Sequence, residues 1–289
     1  QVVALYSYMS QILVELIKLA NLIVTVNKSA ACAKRVADVF DIKNSMEFKN
    51  CEKLSLEKED IIEFRNVSLE YQGAGDESLS DINFSAKKGQ TIGIIGGTGS
   101  GKSSLVNLLP RFYDATNGEV LIGGKNVKHY SVKELRDKIG IVMQKAVMFE
   151  GTIESNLIFG KKEARQEELE DAITIAQATD VVNAKGGFNA SIEQGGRNLS
   201  GGQKQRLSIA RALVKKPEIL ILDDSASALD YATDAKLRSA IKNLSYQPTV
   251  FIVSQRAASI LHADLILVLE DGRLVGKGTH NELIELSLI

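Results

Sequence analysis

The octapeptide Gly96-Gly97-Thr98-Gly99-Ser100-Gly101-Lys102-Ser103 has the spacing of a phosphate-binding loop, a glycine and four residues ahead of Gly-Lys-Ser. The glycines let successive backbone N–H groups wrap anionic oxygens, Lys102 can neutralise the outer phosphates, and the Ser103 hydroxyl can ligate magnesium. Farther along, the apolar run 219–222 ends in Asp223, a carboxylate placed to hold magnesium, usually through water. Many buried strands end in Asp. Downstream of a phosphate loop, the arrangement gains a chemical meaning. Between the two lies Leu199-Ser200-Gly201-Gly202-Gln203, at the start of a helical pattern.

These groups need rigid supports, and the hydropathy pattern provides them. Segments 61–71 and 82–86 predict strands, and 91–95 is a short apolar strand running straight into the glycine loop. A helix follows over 102–109, ended by Pro110. The apolar runs 139–143, 219–222, 250–253 and 265–269 have the length and composition of buried strands, while 163–178 and 202–214 are helical in period. The expected class is α/β, a strand-rich core with a helical insertion between Met143 and Ile219 and no internal repeat.

With 289 residues and 44% apolar content, the chain can build one large domain with an appendage, or two small ones. A formal net charge of −1, with no basic block, leaves no electrostatic footprint for nucleic acid, and none is expected as a partner. Cys32 and Cys51 lack both metal-ligand spacing and disulfide density and are expected to stay reduced. His129 and His280 sit in surface-like contexts and His262 in a structural one, so nucleotide-bound magnesium is the one metal expected.

Residues 1–27 carry only Glu15 and Lys18 as charges among apolar runs, and as a helix of roughly 40 Å they would cross a bilayer. Lys28, Lys34 and Arg35 then supply the positive flank of a cytoplasmic side. There is no basic start and small-residue cleavage site, and the first residue is not Met, so the sequence reads as a piece of a longer protein. A soluble amphipathic helix packed on a partner is the alternative, because Glu15 and Lys18 are costly facing lipid. The helical pattern continues to about Phe40. Three sections are expected: 1–48, the last transmembrane helix and its cytosolic extension; 49–60, a linker; and 61–289, the nucleotide-binding domain.

The phosphate loop, the LSGGQ run at 199–203 and the strand ending in Asp223, in this order and spacing, make the chain from about residue 61 onward resemble the ABC ATPases of exporter type. The resemblance implies a P-loop, RecA-like core, an antiparallel β subdomain and a helical subdomain carrying 199–203. It implies ATP and Mg as ligands, with phosphate contacts from Gly96, Gly97, Thr98, Gly99, Ser100, Gly101, Lys102, Ser103 and Ser104 and with Mg at Ser103, Gln144 and Asp223. Tyr71 matches the aromatic that stacks on adenine, with an ordinary strand-end tyrosine as the lesser alternative. Gln144 matches the glutamine-loop residue that reaches magnesium and attacking water, and 145–160 looks like the exporter version of the segment that contacts the membrane domain. Leu199, Ser200, Gly201, Gly202 and Gln203 would cap the γ-phosphate held by an opposite subunit. Ser227-Ala228-Leu229-Asp230 matches the loop that couples two sites across a head-to-tail dimer.

Two positions depart from the family's pattern. Asp224 stands where hydrolytically competent members have Glu, and Gln255 where they have a switch histidine. A catalytic carboxylate must polarise a water in line with the γ-phosphate; Asp is one methylene short, and a misplacement of about 1 Å can lower the rate roughly a hundredfold. Gln can donate a hydrogen bond to phosphate but lacks the charge and proton chemistry of His. Asp224, Gln255 and Gln144 are therefore the candidate catalytic residues of a slow site. An altered catalytic end beside an intact signature predicts a heterodimer in which this chain lends 199–203 to a competent site and keeps a weak one. The partners expected are a different half-transporter subunit and the chain's own transmembrane domain, at the cell membrane with the ATPase domain on the cytoplasmic side. A slow symmetric homodimer, a soluble ABC ATPase acting on ribosomes or DNA, and a low-turnover regulatory ATP-binding subunit are the alternatives.

Overall fold

A computed structural model describes residues 2–42, 46, 60–225 and 227–285, in two units, Gln1–Glu47 and Phe48–Ile289. The first unit is one helix, α1 (Val2–Phe40), uninterrupted because its sequence contains neither Gly nor Pro. All its residues are exposed, and its apolar part is long and apolar enough to cross a membrane by length and composition. The two charges inside the apolar run pair with each other, Lys18 Nζ lying 2.7 Å from Glu15 Oε1. An i,i+3 pair of this kind neutralises both along one helix face. The linker expected over 49–60 lies outside the described residues except for Asp60, which already opens the first strand.

The second unit holds two larger sheets. One is antiparallel, with β1 (Asp60–Glu70) between β2 (Glu77–Lys87) and β4 (Asn117–Ile122), and β5 (Lys125–Asn126) beyond β4. The other is built from β3 (Thr91–Gly96), β6 (Ile139–Val142), β9 (Ile219–Asp223), β10 (Thr249–Val253), β11 (Leu265–Glu270) and β12 (Arg273–Gly278). Its order is β12-β11-β3-β10-β9-β6, parallel except for the edge strand β12. The continuous apolar runs fall here for a physical reason: β9 and β10 are buried along their whole length, so neither face needs polar residues. A small hairpin-like sheet pairs β7 (Gly151–Thr152) with β8 (Ser191–Ile192).

Helices cover both faces. α2 (Lys102–Leu108) follows the glycine loop, and its Leu105 packs between the two larger sheets with Phe251, Ile92 and the stacked rings of Phe64 and Phe84, 4.6 Å apart. Burying a side chain such as Phe251 fully contributes roughly 2–3 kcal/mol. Between β6 and β9 the chain builds α4 (Ile153–Leu157), α5 (Gln166–Ile175), α6 (Thr179–Lys185) and α7 (Gly201–Leu213). Leu157, Leu169, Ile173, Val181 and Leu207 give this helical insertion a core continuous with the other face of the parallel sheet. α3 (Val132–Lys138), α8 (Tyr231–Lys242), α9 (Ala257–Ile260) and α10 (His280–Glu285) complete the described helices. The expected α/β architecture, with a P-loop core, an antiparallel β subdomain and a helical subdomain, is what is observed.

Two boundaries differ from expectation. β2 begins at Glu77 rather than at 82, because the register slips between the pairs Val67–Ile82 and Leu69–Leu79. That slip, at Asp81 with φ of 51°, separates the buried positions Leu79 and Ile82 by three residues instead of two and hides the alternation. The helix expected over 163–178 is α5 alone; it stops at Ile175, and Gln177, at φ of 55°, turns the chain into α6.

Candidate nucleotide-binding site

The glycine loop leaves the carboxyl end of β3 and turns into α2, and its tightest point is Gly96. A Cβ there would lie 2.1 Å from the Leu269 carbonyl oxygen of the neighbouring strand, so only glycine fits. At Gly97 and Gly99 the space a Cβ would occupy is open, as a loop that wraps a ligand requires. Lys102 is buried, and its Nζ donates to the carbonyls of Gly96 (2.9 Å) and Gly97 and to Ser100 Oγ (3.3 Å). Burial pushes its pKa down, against the pull of Asp224 and Asp223. A desolvated ammonium tied only to neutral oxygens is poised to exchange them for phosphate oxygens.

Ser103 Oγ donates to Asp223 Oδ1 at 3.1 Å, joining the first turn of α2 to the end of β9. Two oxygens about 3 Å apart is the edge length of an octahedron around a small hard cation with bonds near 2.1 Å, so the pair fits a shared magnesium. Burial pushes the Asp223 carboxyl up, the Ser103 hydrogen bond pulls it down, and Asp224 pushes it up again. The Lys102 ammonium nearby pulls it down as well, and a bound cation would do the same more strongly.

The cleft beside the loop has a volume of about 240 Å³ and collects Lys102, Ser103, Ser104, Gln144, Asp223, Asp224 and Gln255 along its lining. It sits at the carboxyl ends of β3, β9 and β10, where parallel sheets bind ligands. Asp224 takes a left-handed backbone (φ 46°), donates its N–H to Val253 O at 3.0 Å and accepts from Gln144 Nε2 at 3.2 Å. Gln255 follows Ser254, whose N–H donates to Ile94 O at 3.1 Å and whose Oγ accepts from the Arg256 N–H at 2.9 Å. The Arg256 guanidinium reaches the Ser227 carbonyl at 3.3 Å and lies 5.2 Å from the Tyr231 ring centre. The segment bearing Gln255 is thus tied to the 227–230 loop.

The other expected residues fall elsewhere. Tyr71 does not line the cleft; its hydroxyl donates to Ser104 Oγ at 2.9 Å and its ring meets Tyr113 edge-on, 4.8 Å between centres. None of residues 199–203 lines it either. Leu199 is buried, Ser200 and Gly201 are exposed, and a Cβ on Gly202 would approach the Ala228 carbonyl at 3.0 Å. The helix they start is wired to the segment after β6: Gln205 Nε2 reaches Met143 O at 3.5 Å and Arg211 Nη2 donates to Val147 O at 2.8 Å. His129 is exposed, and His262 lines a different cavity.

Ser78, Ser254 and Arg256 were missed by sequence reasoning. Ser254 and Arg256 flank Gln255, and adjacency was the available signal. Ser78 had none, because it reaches the cleft only through the slipped pairing of β2.

The ABC transporter family profile matches residues 79–227, more than half of the chain, including the glycine loop, Gln144, the 199–203 segment and Asp223 and Asp224. The chain belongs to the ABC transporter family. It is 41% identical over 284 residues to an uncharacterized ABC transporter ATP-binding protein, YfiB, of Bacillus subtilis (strain 168), covering 98% of this chain and 49% of that one. A Staphylococcus aureus (strain NCTC 8325 / PS 47) protein, provisionally named a multidrug export ATP-binding/permease protein, is 42% identical over 246 residues, 85% of this chain and 42% of its own. A solved structure of a bacterial Atm1-family ABC exporter with ATP bound superposes with a TM-score of 0.83 at 32% identity, over 91% of this chain and 46% of that one. The chain spans about half the length, or less, of these relatives.

Proposed function

We propose that this chain is the ATP-driven part of a membrane exporter. It binds Mg-ATP in its cleft and closes head-to-tail on a second half-transporter subunit; hydrolysis reopens the pair and moves the membrane domains between inward- and outward-facing states. The observation that carries this reading is a split: Thr98, Gly99, Gly101, Lys102, Ser103 and Asp223 line one cleft, while Ser200 and Gly201 are exposed and outside its lining. The words export and exporter in the names of two relatives support it.

ATP with its magnesium supplies the phosphoanhydride to be broken. The chain's residues do the rest. N–H groups of 96–101 hold phosphates, and Lys102 leaves its loop carbonyls to meet them. Ser103, Asp223 and Gln144 hold the cation, Ser104 adds a phosphate contact, and Tyr71 stacks on the base. Asp224 orients water, but it is a methylene short and already occupied by Gln144, and Gln255 offers an amide without histidine's charge. We therefore assign the slow, degenerate site of a heterodimer to this chain. Leu199 to Gln203 serve the partner's competent site. α1 belongs to the transmembrane domain, and the positive flank of Lys28, Lys34 and Arg35 puts the ATPase domain on the cytoplasmic side.

Single-turnover ATPase of the assembled pair tests the assignment. Ser200→Ala should reduce turnover far more than Asp224→Ala, and Asp224→Glu with Gln255→His should raise hydrolysis at this chain's own site. A larger loss from Asp224→Ala than from Ser200→Ala would sink the heterodimer in favour of a slow symmetric homodimer.

A further inference from the structure

A second cavity, of about 350 Å³, lies between α8 and α9 behind the nucleotide cleft. β9 and β10 give it Leu222 and Ile252, while the next residues along each strand, Asp223 and Val253, line the cleft on the other side of the sheet. The buried Ile241 and the half-buried Ala263 add apolar surface, the exposed Ala235 stands at its edge, and Thr91, Ser239 and Ser259 bring polar groups into a mainly apolar interior. Its mouth is basic. Arg238, Lys242 and His262 line it, and a shallower hollow of about 490 Å³ shares Lys242 and His262 and extends to His280.

Among the described residues, no carboxylate lines either hollow. Nearby acids are already engaged: Asp234 is buried, 3.1 Å from Arg238 Nη2 and 3.3 Å from Ser259 Oγ, Asp264 Oδ2 accepts from the Thr91 N–H at 2.7 Å, and Glu282 Oε2 accepts from the Thr279 N–H at 2.7 Å. Arg238 Nη1 donates to the carbonyls of Ala258 (3.1 Å) and Ser259 (3.2 Å), yet its Nε–H is buried without an acceptor. An apolar interior disfavours a ligand that is polar all round, and a mouth of cationic side chains disfavours a cation.

We propose that this groove binds a small amphipathic carboxylate, its aromatic or aliphatic body in the apolar interior and its anionic head among Arg238, Lys242 and His262. Such an occupant would touch residues whose neighbours line the nucleotide cleft, so the two cavities share the walls of β9 and β10.

The test is titration of para-trifluoromethylbenzoate into the full chain in detergent, followed by fluorine NMR, with para-trifluoromethylbenzamide as the uncharged analogue. Saturable binding of the benzoate is expected, weakened by about tenfold or more by Lys242→Glu. The benzamide should bind correspondingly weakly, and Ala235→Trp, which covers the interior from its edge, should abolish saturation. Equal titrations for wild type and Ala235→Trp would mean partition into detergent only and would overturn the proposal. Equal affinity for benzoate and benzamide would overturn the anion site. Should Ala235→Trp not fold, as judged by circular dichroism, Lys242→Glu at an exposed position decides the matter: unchanged benzoate affinity overturns the proposal.

Discussion

Two helices of the ATP-binding domain begin at glycines, and they use their first N–H groups differently. α2 has Gly101 as its N-cap, in a left-handed conformation with no side-chain cap. α7 has a complete capping box: Ser200 Oγ accepts from the Gln203 N–H at 3.3 Å, and Gln203 Oε1 accepts from the Ser200 N–H at 2.9 Å. An uncapped start leaves its donors for a ligand. A capped start is stable without one, and it leaves the exposed Gly201 free of neighbours. On the proposed function, one helix start binds and the other is presented.

The largest expected effect tests the binding end. Lys102→Ala deletes the charge facing the phosphates and should weaken Mg-ATP binding on the order of a hundredfold. Unchanged calorimetric affinity would reject the cleft as a nucleotide site. Next comes the presented end. Nothing lies within 4 Å of a Cβ placed on Gly201, so Gly201→Ala should fold and bind ATP as wild type while lowering ATPase of the assembled complex by about tenfold or more. A defect already present in the isolated chain would break the contrast between the two starts.

Smaller effects sharpen it. Gln203→Ala removes half of the capping box and should lower stability by about 1 kcal/mol, read by denaturant unfolding, with ATP affinity unchanged. Loss of affinity instead would mean that α7 contributes to its own chain's cleft. Tyr246, remote from both starts in sequence, is a control: its hydroxyl is buried without a partner, and burial pushes its pKa up from 10.0 to about 12. The folded state holds the proton more tightly than the unfolded one, so this contribution to stability is complete below pH 10 and lost as pH rises toward 12. Tyr246→Phe should abolish that share of the alkaline loss and leave both helix starts untouched; identical alkaline unfolding curves for variant and wild type would count against it.

What the sequence made legible were the features with short-range causes. The strands β3, β9, β10 and β11 announced themselves because burial on both faces demands unbroken apolar runs, and the loop and 199–203 because phosphate chemistry demands glycine at fixed spacing. β4 stayed hidden because its first half, Asn117, Gly118 and Glu119, is exposed. The strand order of the sheet, the slip in β2 and the arrival of Ser78 at the cleft depend on pairing between distant segments, for which no local pattern exists. Tyr71 was placed correctly at the end of β1, yet its contacts with Ser104 and Tyr113 come from segments more than thirty residues away.

The length of α1 has a consequence of its own. Its 39 residues make a rod of roughly 58 Å, about twice the hydrocarbon thickness of a bilayer. Starting a helix is the unfavourable step, and a short exposed segment such as 28–40 is marginal in water by itself. On the proposed placement of the apolar half in lipid, where unmade backbone hydrogen bonds are prohibitive, the nucleus would already exist and the exposed half would have only to propagate from it. The membrane then acts as a template for structure outside it, and amide exchange should quicken steadily from Lys28 toward Phe40; uniform exchange along that stretch would contradict a template.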